Sequence, residues 1–191
     1  MEELYWIWLA GLSIGPRARA ALIREFGTAE AVFRTESFHG ITGVSAKEAE
    51  KAERKDLREA EAAQRQCSLQ HISVLPVTSP EYPERLRQIY LPPTVLFVQG
   101  TLPPIDEIPV IAVIGTRHAS PYGVKMSQRI ACEISQCGGA IVSLLTSGVD
   151  EAAAKGTLQS GGTCIGVLGT PHEQFGHLLR EQILRNGALV S

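Results

Sequence analysis

Residues 110–123 read Val110-Ile111-Ala112-Val113-Ile114-Gly115-Thr116-Arg117-His118-Ala119-Ser120-Pro121-Tyr122-Gly123. An unbroken apolar, β-branched run enters a glycine turn, crosses a serine and a proline, and becomes a segment of helical periodicity over Gly123–Gln136. The run predicts a strand, Val110–Gly115. The same texture recurs on either side, with strands expected over Thr94–Gln99, Ala140–Leu145, Thr163–Leu168 and Ala188–Val190. Helices are expected between them over Asp150–Gln159 and Gln174–Arg185. Apolar strands separated by helices predict a parallel sheet covered on both faces.

The fold class that follows is α/β, an open, mainly parallel sheet of Rossmann type. A small all-helical domain precedes it. Up to Gln66 the apolar residues recur at helical spacing, with Ala18, Ala21, Leu22 and Phe26 on one stripe and Ala29, Val32 and Phe33 following. Pro16 suits a first helical turn and Gly27 a C-terminal stop. Ser45 with Glu48 three residues on is a capping box that opens a helix over Ala46–Gln66. That stretch carries six basic and six acidic residues and reads as one solvated helix laced with i,i+4 pairs. The change of texture near residue 70 predicts two domains, residues 1–70 and 71–191. Between them His71–Pro93, with five prolines, reads as an extended, packed connector.

Composition narrows the function classes. At 191 residues, 44% apolar and 20% charged, the chain falls in the globular range. No apolar run reaches the length of a membrane span, and Leu4–Ala10, behind two glutamates and broken by Gly11, is a poor export signal. A cytoplasmic location without a membrane partner is expected. Cys67, Cys132, Cys137 and Cys164 have neither a CxxC nor a zinc spacing and read as reduced, mostly buried thiols. Eighteen basic against twenty acidic residues give a net charge of −2, so polyanion binding would need a local pocket rather than a global field.

In an open parallel sheet, ligands bind at the carboxyl ends of the strands, where helix N-termini offer N–H groups to anions. Three loops qualify: Gly115–Gly123, Thr146–Asp150 and Gly169–His172. In the first, Gly115 permits a sharp turn, Thr116 and Ser120 supply hydroxyls, and Arg117 supplies a planar fork for phosphate. The bland alternative is a tight strand–helix turn with an exposed arginine. In the second loop Asp150 reads as the N-cap of its helix. No loop carries a GxGxxG or Walker pattern, and no cofactor is implied. His118, His172 and His177 lack partners at ligand or base spacing, and no nucleophile, paired carboxylates or catalytic triad can be picked out. The residues argue against an enzyme.

Several segments, in order, resemble the DNA-processing protein A (DprA/Smf) family. Leu12-Ser13-Ile14-Gly15-Pro16 with Leu22–Gly27 is similar to its opening pattern, and Tyr82-Pro83 followed by Pro92–Gly100 to its entry into the second domain. Val113-Ile114-Gly115-Thr116-Arg117 with Ser120, Tyr122 and Gly123 is the most specific match. Gly161-Gly162-Thr163 through Val167-Leu168-Gly169 completes the string. The resemblance implies a helix-hairpin-helix or SAM-like domain before a Rossmann-like one. It also implies non-enzymatic binding of single-stranded DNA, protection of incoming DNA and loading of a RecA-type recombinase in natural transformation, with a homodimer as a further partner. Gly115, Thr116, Arg117, Ser120 and Gly148 would form the DNA phosphate-binding site.

The chain departs from the family pattern at Leu144, where a pocket glycine is usual, and at Ala154, where a histidine is usual. The Tyr-Pro pair is missing after Gly169. Leu144 is therefore expected to close the second loop partly. The helical hairpin around Ser13–Gly15 could grip phosphate, but Ser13 replaces a glycine and a packing or partner role is favoured. The resemblance implies further strands after Ser191, as in a degenerate or C-terminally truncated member. A five-strand sheet ending on Val190 is expected to leave an open edge there. Two other readings stand beside DNA binding: a protein-interaction module with a vestigial pocket, acting through its open sheet edge or its helical domain, and a small-nucleotide binder or nucleotide-processing enzyme of Rossmann type.

Overall fold

The computed structural model of the chain describes residues 2–172, 176 and 178–191. Packing divides it within one strand, into Met1–Phe97 and Val98–Ser191. The first unit holds five helices, α1 (Glu2–Gly11), α2 (Pro16–Phe26), α3 (Ala29–Arg34), α4 (Ala46–Glu53) and α5 (Arg58–Leu69). Strand β1 (Ile72–Pro76), a short helix α6 (Glu84–Arg87) and the first half of β2 (Val95–Gly100) follow. Its core gathers Trp6, Trp8, Leu9, Leu22, Val32, Phe38 and Val95. The strand residues Val74 and Phe97 also pack on it, so this unit runs past the change of texture at residue 70.

The helix punctuation follows local chemistry. Pro16 opens α2, and Gly27, at φ +78°, ends it with its N–H on the Ile23 carbonyl. Thr28 caps α3 by accepting the Ala31 N–H. The Ser45–Glu48 capping box forms, but the single helix expected over Ala46–Gln66 is broken at Arg54–Leu57. There Asp56 accepts the backbone N–H of Arg58 and pairs with its guanidinium, a local side-chain bond that competes with the helix. In the break, the Lys55 ammonium lies over Phe38, 4.4 Å from the ring centroid, and beside Trp8 and Phe33, and donates to the Val32 carbonyl. Burial pulls its pKa down to about 8, against the attraction of the Glu53 carboxylate.

The connector expected over His71–Pro93 is also corrected. Ile72–Pro76 forms β1 beside β2 and Glu84–Arg87 is helical, with Pro76 at the strand's end and Pro83 just before the helix. Arg87 fixes these turns, donating to the carbonyls of Val77, Ser79 and Tyr82.

The second unit contains β3 (Val110–Ala112), α7 (Pro121–Gln136), β4 (Ala140–Ser143), α8 (Val149–Gln159), β5 (Cys164–Val167), α9 (Arg180–Asn186) and β6 (Ala188–Val190). Strands β3, β4, β5 and β6 are parallel neighbours, and β2 adds antiparallel to β6. The strand order is β1-β2-β6-β5-β4-β3. Val190 therefore pairs on both sides, with Val98 and Val167, and the edge expected there does not exist; β3 is an open edge instead. Strand β3 is shorter than the expected Val110–Gly115, ending at Ala112, although the Val113 N–H still donates to the Val142 carbonyl at 3.0 Å. Helix α9 begins later than expected, at Arg180; Gln174 and His177 lie outside the described residues.

The sheet is not covered evenly on both faces. Its three crossovers all step in one direction, which puts α7, α8 and α9 on one side. On the other side one registered row runs Ala188, Ile165, Val142, Ala112. Ala188 and Ile165 are buried, Val142 is half-buried and Ala112 is exposed, so cover is lost strand by strand toward β3. None of the four cysteines is in a disulfide. Cys67 and Cys164 are buried, and burial pushes the Cys164 thiol up to about 12. No described helix is long and apolar enough to cross a membrane.

Glu48 gives this fold a measurable acid response. Its carboxylate accepts the Gly15 N–H at 2.9 Å, the Ser45 N–H at 3.0 Å and the Ser45 hydroxyl at 2.6 Å. These bonds, the Ser45 hydroxyl foremost, hold its pKa down to about 2. A depressed carboxylate contributes stability above its unfolded pKa and loses it as pH falls through the folded value. Glu48→Gln should lower the melting temperature modestly at pH 7, with the two proteins converging as pH falls toward 2 in a calorimetric series.

Candidate functional site

The loops after β3 and β4 meet at the carboxyl ends of their strands, and one buried carboxylate joins them. Asp150 is 1% exposed; its Oδ1 accepts the Gly115 N–H at 2.9 Å and its Oδ2 accepts the Thr146 hydroxyl at 2.5 Å. The sequence suggested that Asp150 caps its helix. Instead Gly148 occupies the N-cap of α8, and Asp150, one residue inside it, spends its carboxylate across the two loops. Val149 N–H donates to the Thr116 carbonyl at 3.2 Å, and the Ser147 hydroxyl donates to the Arg117 carbonyl at 3.4 Å.

Glycines permit this closeness. Gly148 has φ +78°, and a β-carbon there would collide with the carbonyl oxygens of Thr116 and Arg117. A β-carbon on Gly115 would press into Val149 at 2.8 Å. The partial closure expected from Leu144 thus has another cause: the backbones of the two loops pack on each other. Leu144 itself, just past the end of β4, stays half-exposed. Ala154, in place of a histidine, is fully buried against Leu145 and Ile183.

What remains outward is the middle of the first loop. Thr116, Arg117, His118 and Ser120 are all exposed, and Arg117 has no carboxylate partner among the described residues. The Ser120 hydroxyl oxygen accepts the Gly123 N–H at 3.1 Å as the cap of α7, and the Thr116 hydroxyl oxygen accepts the His118 N–H at 3.2 Å. Each hydroxyl keeps its own proton to donate outward. The arrangement is one guanidinium and two hydroxyl donors on a backbone pinned from behind, a set suited to a phosphate or other oxyanion. Of the five expected residues, Gly115, Thr116 and Arg117 form the first loop, Ser120 caps the helix leaving it, and Gly148 packs beneath Thr116 and Arg117.

Other expected sites are placed differently. In the third loop Gly169, Thr170 and Pro171 are exposed, whereas His172 is buried and its carbonyl accepts from Arg180. Arg180 reaches on to Gln99. His177 lies outside the described residues. In the helical unit, the Gly15 N–H is taken by Glu48, and Lys51 donates to the Ser13 carbonyl at 2.7 Å. The hairpin is tied inward by its neighbouring helix, as a packing role requires. Sequence reasoning placed Thr146 and Ser147 in a qualifying loop without giving either a role, and misread Asp150. The sequence carried no direct signal for this role, since the burial of Asp150 and the positive φ of Gly148 arise only where the two loops meet.

With this geometry in view, a family model described as DNA recombination-mediator protein A matches residues 73–191. The Bacillus subtilis DNA processing protein DprA is 35% identical over 99 residues, which cover 52% of this chain and 33% of that protein. A Streptococcus pneumoniae DNA processing protein A structure superposes with a TM-score of 0.67 at 21% identity, covering 100% of this chain and 67% of the other, a likeness of fold. A Helicobacter pylori DNA processing protein A, solved for its single-stranded DNA binding mode, has a TM-score of 0.52 at 26% identity. It covers 63% of this chain and 54% of that one. The chain spans 33% to 50% of the length of the curated relatives it matches.

The pinned loop has a predictable energetic signature. Asp150→Ala would leave the Gly115 N–H and the Thr146 hydroxyl without their acceptor, at a cost of about 1–3 kcal/mol. Gly148→Ala adds a left-handed β-carbon against backbone and should cost a comparable amount. Urea unfolding at neutral pH should show both midpoints lowered, whereas Leu144→Ala, at a half-exposed position, should change little.

Proposed function

Because the chain belongs to the DNA recombination-mediator protein A family, we propose that it binds single-stranded DNA, without catalysing a reaction on it, through the loop Gly115–Ser120. The observation that carries this reading is the exposed Arg117, without a carboxylate partner among the described residues, in a loop whose Gly115 N–H is held by Asp150. The single-stranded DNA binding of the Helicobacter pylori relative supports it. In this reading Arg117 takes one phosphate as a fork, Thr116 and Ser120 donate hydroxyl protons to its oxygens, and Gly148 and Gly115 keep the loop in shape. A chain of net charge −2 gains little from its overall field, so affinity rests on this local contact. Residues 71–191 act as the DNA-binding domain and residues 1–70 as a helical domain beside it in the chain. The biological role is protection of incoming DNA and delivery to a RecA-type recombinase in natural transformation, inside the cytoplasm.

A second reading, association with another protein chain, has its own observation. Among the described residues strand β3 is an open edge, with Ile111 in the strand 36% exposed and Ile114 in the segment just after it 59% exposed, an edge that can accept another strand. A homodimer is one form of it.

Fluorescence anisotropy with a labelled single strand at two salt concentrations, alongside Arg117→Ala, tests the first reading. Saturable binding with a shallow salt slope is expected, and loss of about ten-fold or more in affinity on substitution, the weight of a charge-assisted phosphate contact. Absence of binding at low salt by the folded protein would overturn it. For the second reading, Ile111→Lys should shift a concentration-dependent sedimentation profile toward monomer; an unchanged profile excludes that edge.

A further inference from the structure

The geometry points to Tyr122 as the residue that stacks on a nucleobase of the strand whose phosphate Arg117 holds, a role that rests on the DNA-binding reading above. Tyr122 is 73% exposed, and its ring has no aromatic or hydrogen-bonding partner among the described residues. An exposed tyrosine on a loose loop would mean little. This one is fixed. Pro121 sets the first residue of α7, Ser120 accepts the Gly123 N–H on the far side, and Tyr122 sits between them on the first turn of a 16-residue helix. The ring is therefore presented from a rigid base two residues after the last outward hydroxyl of the phosphate loop.

Its surroundings along α7 continue the same chemistry. Lys125 and Arg129 lie three and seven residues on, within the same helical stripe as Tyr122, and both are exposed. Arg129 is engaged by Glu133 at 2.7 Å, while Lys125 has no ion pair among the described residues. The order along the chain is thus Arg117, Tyr122, Lys125, all exposed: cation, ring, cation. Single strands are held by this alternation, the cations meeting successive phosphates and the ring taking the flat face of a base. A tyrosine pays little for the task, having only two side-chain torsions to fix. Stacking is indifferent to base identity, so the site would discriminate a base from no base rather than one sequence from another.

The test compares a labelled oligothymidylate with the same strand carrying abasic positions, by anisotropy, on the full chain and on Tyr122→Ala, Tyr122→Phe and Arg117→Ala. The wild-type protein should prefer the base-bearing strand. Tyr122→Ala should weaken binding to it about ten-fold and abolish the preference, and Tyr122→Phe, which keeps the ring, should retain both. Thermal melting of each variant confirms that it is folded, as expected for an exposed position. If Tyr122→Ala binds both strands as the wild type does, or Tyr122→Phe fails as badly as the alanine, the stacking role is wrong while DNA binding through Arg117 stands. If the wild-type chain binds neither strand, both readings fall together.

Discussion

Asp150 is the fixed point of the second unit. A carboxylate removed from water survives only if its lone pairs are taken up, and here a backbone N–H and a hydroxyl from two different loops take them. Meeting that demand sets the distance between the ends of β3 and β4. The glycine at 148, the close approach of Val149 to Thr116 and the outward turn of Arg117 all follow from it. Polar groups that face inward are saturated, which leaves the loop's chemistry on its outer surface and keeps that surface stiff.

The helical unit solves a comparable problem with Glu48. One carboxylate closes its own helix start and reaches 33 residues back to the Gly15 amide. In doing so it removes the donor that a helical hairpin would otherwise offer to a phosphate. The two units therefore treat their loops in opposite ways. A carboxylate in the first unit silences a donor, while one in the second positions donors it does not itself touch.

Much of this architecture was legible in the residues, because the deciding signals were local. Pro16, Gly27 and the Ser45–Glu48 pair mark helix ends through bonds that span a few residues, and the apolar runs at 110, 140 and 164 announce strands through composition alone. What stayed hidden was long-range. Nothing in Ala188-Leu189-Val190 says that it lies between β2 and β5, since strand order is a matter of partners far away in sequence. Ile72–Pro76 was masked by the prolines around it. The seat of Lys55 in the helix break is built from three aromatic rings brought in from α1, α3 and the segment after α3. At the site, Gly115 to Arg117 were readable as a turn with a cation, whereas the work done by Asp150 became visible only once two loops were side by side.

The one-directional winding of the sheet has a consequence for motion. Free energies of local opening follow the apolar cover over a strand, so amide hydrogens in β5 and β6 should exchange with solvent only on global unfolding. Those of β3, bare on one face and unpaired along one edge, belong to a segment that opens far more cheaply. The candidate binding loop is carried by that same soft margin and anchored to α8 at its rear. A bound ligand would then draw down the conformational entropy of β3 first, and the protection it confers should fade across the sheet in the order the strands are stacked.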